Sequence, residues 1–413
     1  MAEPHAILPT GQQQGNGQSF RPYTILAPGF AKWWGSDARA LAQAFRCLGH
    51  SVIDIDEEDY ISWRPQGMGS KVMRRLFGRI YTVDYNQAVL RQASASAFDF
   101  ILAYKGNSLR PETVQELRRT GKPVYNFYPD VSFQDHGPNI PLSLKFYDCV
   151  FTTKSYHGER EIKRFGIRDL KHVRHGFDPE VHRPITLTSQ LIEHYGCDVS
   201  FVGCWSPEKE ERLLYLLREA PGISLKVNGM GWSYASSEFK KRMGANLKAG
   251  VFGDELSIVY RASKINLGLL SFSKSDPTLR DQTTARTFQI TATGSFMLHE
   301  DTSEVRTFFE DGEEVMLFSS NEEMVGKIMT ALGSPAERET ISKRGYQRCL
   351  AEPYDYASTA RCILRHFEAK TARTDNKSDL TPEPINAVEG PTGKPVPQLH
   401  VIPTGAVSNA THE

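Results

Sequence analysis

The stretch Arg286–Ser320, RTFQITATGSFMLHEDTSEVRTFFEDGEEVMLFSS, decides how the rest of the chain is read. Phe288, Ile290 and Ala292 stand beside polar partners, and the run stops at Gly294, a residue suited to a helix C-terminus. Ser295–His299 is then short and apolar enough for a buried strand, Glu304–Phe309 reads as a short helix, and Val315–Phe318 as the next strand. Helices alternating with short buried strands predict a parallel α/β sheet. In such sheets ligands gather at the carboxyl ends of strands, beside helix N-termini, which puts Arg286 where an anionic group would be held. A cation at a helix start opposes the macrodipole, so the fold gains little from it. The alternative reading is an ordinary exposed arginine.

Working outward, Ile265–Leu270 is the strand that leads into this stretch, and Asp198–Val202 is another buried strand. The latter runs into Gly203-Cys204-Trp205-Ser206-Pro207-Glu208-Lys209, where Ser206 suits an N-cap and Pro207 a first helical position. Free amides there, a glycine that allows close approach and Lys209 in the first turn would suit a diphosphate; the plainer reading is a well-capped helix with a solvated lysine. Ile223–Val227 gives a further strand and Asn228–Trp232, with Gly229, a glycine turn.

The first half has the same grammar. Tyr23–Ala27, Ala38–Leu48 and Ser51–Ile55 form a βαβ unit whose glycines do not spell G-x-G-x-x-G, which disfavours a dinucleotide-dependent dehydrogenase. Phe98–Tyr104, Pro123–Phe127 and Asp148–Thr152 continue the strands, with helices over Pro111–Arg119 and around Tyr156–Phe165. His172–Pro184, containing Gly176-Phe177-Asp178, joins the halves, and Tyr354–Phe367 reads as a last helix. Residues 1–20 and those from about 370 onward are polar and aperiodic, and disorder is expected there.

Composition narrows the function classes. With 413 residues and 39% hydrophobic positions, the chain can bury a large core, and two domains are expected. Lys+Arg and Asp+Glu both number 49, so no polyelectrolyte drive pulls it toward nucleic acid. The six cysteines are scattered without a C-x-x-C pair, as in reduced cytosolic proteins, and neither they nor the neighbouring His172 and His175 predict a metal site. The first residues lack a signal-peptide pattern and no run approaches transmembrane length, so a cytoplasmic location is expected. Peripheral membrane contact is left open.

The block Arg286-Thr-Phe-Gln-Ile-Thr-Ala-Thr-Gly294, the apolar strand after it and Phe308-Phe-Glu-Asp-Gly-Glu-Glu314 before Leu317-Phe318 resemble the C-terminal half of GT-B glycosyltransferases. They are most similar to the branch related to the spore-maturation protein CgeB, and the similarity continues through Gly345-Tyr-Gln-Arg348. The resemblance implies two Rossmann-like α/β domains with a cleft between them: an acceptor domain over 21–184, a sugar-nucleotide domain over 185–353 and a crossover helix over 354–368. It implies a metal-independent, retaining transfer of a sugar from a nucleotide-sugar donor to a hydroxyl acceptor, without a cofactor. Arg286 would clamp the diphosphate and Lys209 add a point charge, supplemented by the amides of Thr283 and Thr284. The family's ribose-binding glutamate falls on Gln289, which carries no charge, and its donor-sugar carboxylate on Asp281. Asp130, in Asn126-Phe-Tyr-Pro-Asp130, would orient or deprotonate the acceptor hydroxyl, or simply cap the next turn. Gly29, Gly203, Trp205 and Gly229 are expected around the substrates. Trp33 and Trp34 would offer a sugar-stacking face, with one of the two packed in the core. A nucleotide-sugar epimerase and a non-catalytic sugar-nucleotide-binding protein remain as alternatives.

Overall fold

In a computed structural model that describes residues 20–60 and 82–378, twelve short strands among the described residues form two parallel sheets of six. Of the disorder expected at 1–20 and from about 370 onward, residues 1–19 and 379–413 lie outside the described residues, while 370–378 are helical, which corrects the expectation there.

The first sheet is built from β1 (Thr24–Pro28), β2 (Ser51–Ile55), β3 (Phe100–Tyr104), β4 (Val124–Tyr128), β5 (Cys149–Thr152) and β6 (Leu170–His172). Between them run α1 (Asp37–Cys47), α2 (Val83–Ala95), α3 (Pro111–Arg118), α4 (Asn139–Ser143) and α5 (Glu159–Phe165). Strand order is β2-β1-β3-β4-β5-β6, so the direction of winding reverses between β1 and β3. Leu26, Ile101, Ala103, Val124 and Val150 point to one face and meet Val89, Val114 and Leu117 from the helices. These central strands read as near-continuous apolar runs because both faces are covered.

After α6 (Ser189–Tyr195), the second sheet holds β7 (Cys197–Val202), β8 (Leu225–Asn228), β9 (Leu247–Lys248), β10 (Ser263–Gly268), β11 (Met297–Glu300) and β12 (Met316–Phe318). Its helices are α7 (Pro207–Glu219), α8 (Ser237–Met243), α9 (Gly253–Ala262), α10 (Ala285–Ala292), α11 (Val305–Phe308), α12 (Asn321–Gly333) and α13 (Pro335–Ala351). The order β12-β11-β10-β7-β8-β9 reverses between β7 and β10. Alternation splits the core in two. Val199, Phe201, Ile265 and Leu298 pack under α7 and α12, whereas Met297 and Leu317 join Phe288, Ile290 and Tyr260 on the other face. The helix–strand–helix–strand reading of Arg286–Ser320 corresponds to α10, β11, α11 and β12, and Gly294 takes φ +70° just past the end of α10.

The last helix, α14, spans Tyr356–Ser378, beyond the Phe367 end expected from sequence, because no proline or glycine interrupts it. Residues Met1–His366 form one compact unit and those from Phe367 onward a second. Within the first unit, Tyr356, Ala360, Ile363 and Leu364 are buried at helical spacing. His366 packs edge-on against Tyr125 of β4 and Phe151 of β5, so the chain returns to the first sheet. The outgoing crossing lies beside this return. Phe177 N donates to Tyr354 O and Tyr356 N to Phe177 O, each at 3.1 Å. A Cβ on Gly176 would stand 2.7 Å from Tyr356 N, so only glycine lets the two crossings touch.

Candidate active site

Each reversal of strand order leaves a crevice at the carboxyl ends of its sheet, and the two crevices face one another. Between them lies a cavity of about 680 Å³, lined from the first half by Gly29, Asp37, Tyr104, Lys105 and Asp130, and from the second by Gly203, Gly229, Arg286 and Gln289. The glycines keep its floor bare. A Cβ on Gly29 would come within 2.7 Å of Tyr104 O, and one on Gly229 within 2.0 Å of Gly203 O.

Arg286 is the second residue of α10, and its guanidinium is fixed by donating from Nη2 to Leu269 O at 3.0 Å, just past β10. It lies over the Phe201 ring, and a Cβ on Gly203 would sit 3.0 Å from its Nη1. Lys209 does not itself line the cavity. It is buried in the first turn of α7, where Nζ donates to Ser271 Oγ at 2.7 Å and to Cys204 O at 3.3 Å. Burial, reinforced by Arg286, lowers its pKa to about 8. Two cations therefore converge where β7 and β10 end, with Cys204 as the wall between Lys209 and the cavity.

Gln289 reaches across to the first half, donating from Nε2 to Asp37 Oδ1 at 3.2 Å. Burial pushes the Asp37 carboxyl up to about 6, against the opposing pull of the Tyr356 hydroxyl and Arg286. Asp130 lies between Lys105 Nζ at 2.8 Å and His136 Nε2 at 3.3 Å, the imidazole itself shifted toward its neutral form by burial. Burial pushes its pKa up, but Lys105 and His136 prevail and hold the carboxyl below its ordinary value. It does not serve as a simple turn cap. Lys105 has φ +59°, a conformation costing a non-glycine residue about 1 kcal/mol, and this strain sits at the cavity wall.

Asp281 lies outside the cavity lining, buried at 2.6 Å from Lys154 Nζ of the first half. Lys154 also approaches His175 Nε2 at 3.3 Å, and Thr153 Oγ1 meets the same nitrogen at 2.9 Å. Burial first, then Lys154 and Arg286, push the His175 imidazole far below its ordinary pKa, so it is neutral at pH 7. Trp205, Thr283 and Thr284 also stand away from the cavity. Trp205 Nε1 donates to Glu210 at 2.7 Å and Thr283 Oγ1 to Glu304 at 3.0 Å. The Thr284 amide donates to Thr287 Oγ1 at 3.0 Å within the helix start, so it is not spare for a phosphate. The expectation that one of Trp33 and Trp34 packs in the core is corrected: they are 40% and 43% exposed. Trp33 meets Phe252 edge-on at 4.6 Å, and both line the cavity mouth.

Asp37, Lys105, Lys154 and Phe252 were not singled out from sequence. Lys105 and Lys154 each follow closely on a buried strand, Phe100–Tyr104 and Cys149–Thr152, and that position at a carboxyl end was the available signal. Asp37 follows an N-cap serine and reads locally as helix-start chemistry alone.

Residues 209–365 match the family described as glycosyl transferase-like, less than half of the chain. No curated protein sequence matches. Among solved structures, sucrose-phosphate synthase of Thermosynechococcus elongatus superposes with a TM-score of 0.61 at 14% identity, covering 85% of this chain and 100% of that one. HepE of Anabaena in complex with UDP-glucose gives 0.57 at 12%, covering 85% and 100%. An α,α-trehalose 6-phosphate synthase from Burkholderia multivorans gives 0.54 at 12%, covering 87% and 99%. The two parallel sheets and their cleft are thus the GT-B fold. No described helix is long and apolar enough to cross a membrane.

Proposed function

We propose that this chain is a glycosyltransferase that moves a sugar from a nucleoside-diphosphate donor to a hydroxyl acceptor in the cleft. The observation that carries the reading is Arg286: an arginine fixed by Leu269 O at a helix start, facing bare glycine backbone at a strand-order reversal. As the glycosidic bond breaks, negative charge grows on the β-phosphate, and fixed donors lower the barrier most when they wait where that charge appears. Arg286 offers a planar fork for two phosphate oxygens. Lys209 would release Ser271 or Cys204 to supply a second charge, and the departing diphosphate is then neutralised by side chains in place of a metal ion.

The acceptor enters from the first half, residues 21–184, beside Asp130. Its carboxylate, held ionised by Lys105, orients the attacking hydroxyl. The resemblance to the CgeB-related branch suggests a retaining outcome, and the scattered thiols suit a cytoplasmic protein. HepE was solved with UDP-glucose, which makes a uridine donor the first to try. A second reading has its own support. Gln289 is neutral, and Asp281 is engaged by Lys154, so both acidic positions of the family pattern are altered or occupied. A sugar-nucleotide-binding protein without turnover would look the same.

The test is a melting curve with UDP, GDP, dTDP, CDP and ADP on wild type and Arg286→Ala, followed by donor-consumption assays. A nucleotide at about a hundred times its Kd adds roughly 2.7 kcal/mol, a rise of a few degrees. That rise with one diphosphate, lost in Arg286→Ala, is expected. Binding without donor consumption against a broad acceptor panel would favour the second reading, and no binding at all would remove the donor site.

A further inference from the structure

Three potential metal ligands from distant parts of the sequence meet at the opposite end of the first sheet. Cys149 opens β5, Asp169 immediately precedes β6, and His366 comes from α14. One ligand atom from each lies within 4.8 Å of the others, and His366 Nε2 stands 3.8 Å from Asp169 Oδ2. The cluster is at the amino ends of parallel strands, whereas the cleft is at their carboxyl ends, so it belongs to different chemistry.

We propose that Cys149, Asp169 and His366 form a binding site for a zinc-class divalent cation that ties α14 to the first sheet. The ligand set fits in softness, charge and setting. A thiolate, a carboxylate and a neutral imidazole are the ligand types zinc prefers, and three of them leave one tetrahedral position for water. The thiolate and carboxylate together cancel a charge of +2, so the filled site is neutral where Cys149 is fully buried and the other two are largely so. Edge-on contacts with Tyr125 and Phe151 wall the imidazole on one side and limit its rotation. Zinc–ligand bonds of about 2.0–2.3 Å would draw the three atoms to about 3.5 Å apart, a shift within reach of side-chain rotation. On binding, the Cys149 thiol gives its proton to solvent and the metal–sulfur bond replaces the S–H bond. Lys171, 3.1 Å from Asp169 Oδ1, pairs with the carboxylate oxygen other than the one nearest His366.

The experiment uses the full chain, stripped with chelator and titrated with cobalt(II), whose sulfur-to-metal charge-transfer band reports thiolate coordination. One equivalent is expected to raise the band, and zinc to bleach it. Cys149→Ser should abolish it, and His366→Ala and Asp169→Asn should each weaken cobalt binding at least tenfold. Cys47→Ser, remote from the cluster, should leave it unchanged. If Cys149→Ser does not fold, the other two variants carry the decision. A folded wild type with no band at stoichiometric cobalt, or a band that survives His366→Ala and Asp169→Asn at full strength, overturns the proposal.

Discussion

Asp37 and Gln289, 3.2 Å apart, show how one pair couples the two walls of the cleft. An ionised carboxylate half-buried there costs stability, because burial disfavours the charged form. With its folded pKa raised to about 6, Asp37 is least costly below its unfolded value of 3.8, and the cost is fully present once pH has risen through 6. Asp37→Asn keeps a group able to bond Gln289 without the charge. It should stabilise the protein by about 1–2 kcal/mol near pH 7.5, read as a higher Tm, and by almost nothing near pH 4. A Tm difference that stays constant with pH would mean the charge is not the cause. The same geometry bears on the neutral Gln289: a glutamate there would face Asp37 across the same distance, and one of the two would have to keep a proton. The place of Arg286 at a helix start near the strand ends was legible, because the glycine-ended helix and the strands around it are local features. The Asp37–Gln289 and Lys154–Asp281 contacts were not, since 252 and 127 residues separate their members and no periodicity connects them.

At the scale of elements, patterning located most strands within two residues, because buried parallel strands are short apolar runs bounded by turns. It passed over β9, only two residues long, and several helices: α2, α4, α6, α8 and α9, the last with a Gly253 start at φ +60° and no N-cap side-chain bond. Helix glycines illustrate what local reading cannot separate. Gly326 of α12 has open space around its Cβ direction, whereas Gly345 of α13 would place a Cβ 2.3 Å from Glu314 O. Propensity alone favours alanine at both. Gly326→Ala should stabilise by about 0.5–1 kcal/mol, and Gly345→Ala should destabilise by about 1–3 kcal/mol as the α13 backbone is forced away from the Glu314 turn. Urea midpoints of the two variants should therefore move in opposite directions, and a shared upward shift would show that the Glu314 turn yields without cost.

For the whole molecule, the paired crossings at Gly176–Asp178 and Tyr354–Tyr356 make the first half discontinuous in sequence. Its sheet is covered in part by the segment Tyr356–His366, whose Ile363 and Leu364 are buried and whose His366 packs on Tyr125 and Phe151. A fragment comprising residues 20–184 should lack this cover and melt without a sharp transition. Cooperative unfolding of that fragment by circular dichroism would show that the first sheet is self-sufficient. A parallel α/β sheet was legible from the alternation of strands and helices, and the GT-B arrangement only through the family resemblance that the Arg286–Ser320 stretch carries. The junction was harder to read, because a Gly-Phe-Asp turn looks alike whether or not another segment lies against it.

Those adjoining crossings also set an order in time. A chain leaving the ribosome exposes its amino-terminal sheet long before the residues that cover it exist, and about 180 more must be added first. At roughly 5–20 residues per second the uncovered apolar face persists for ten seconds or more of synthesis, a window in which chaperone contact has greatest value.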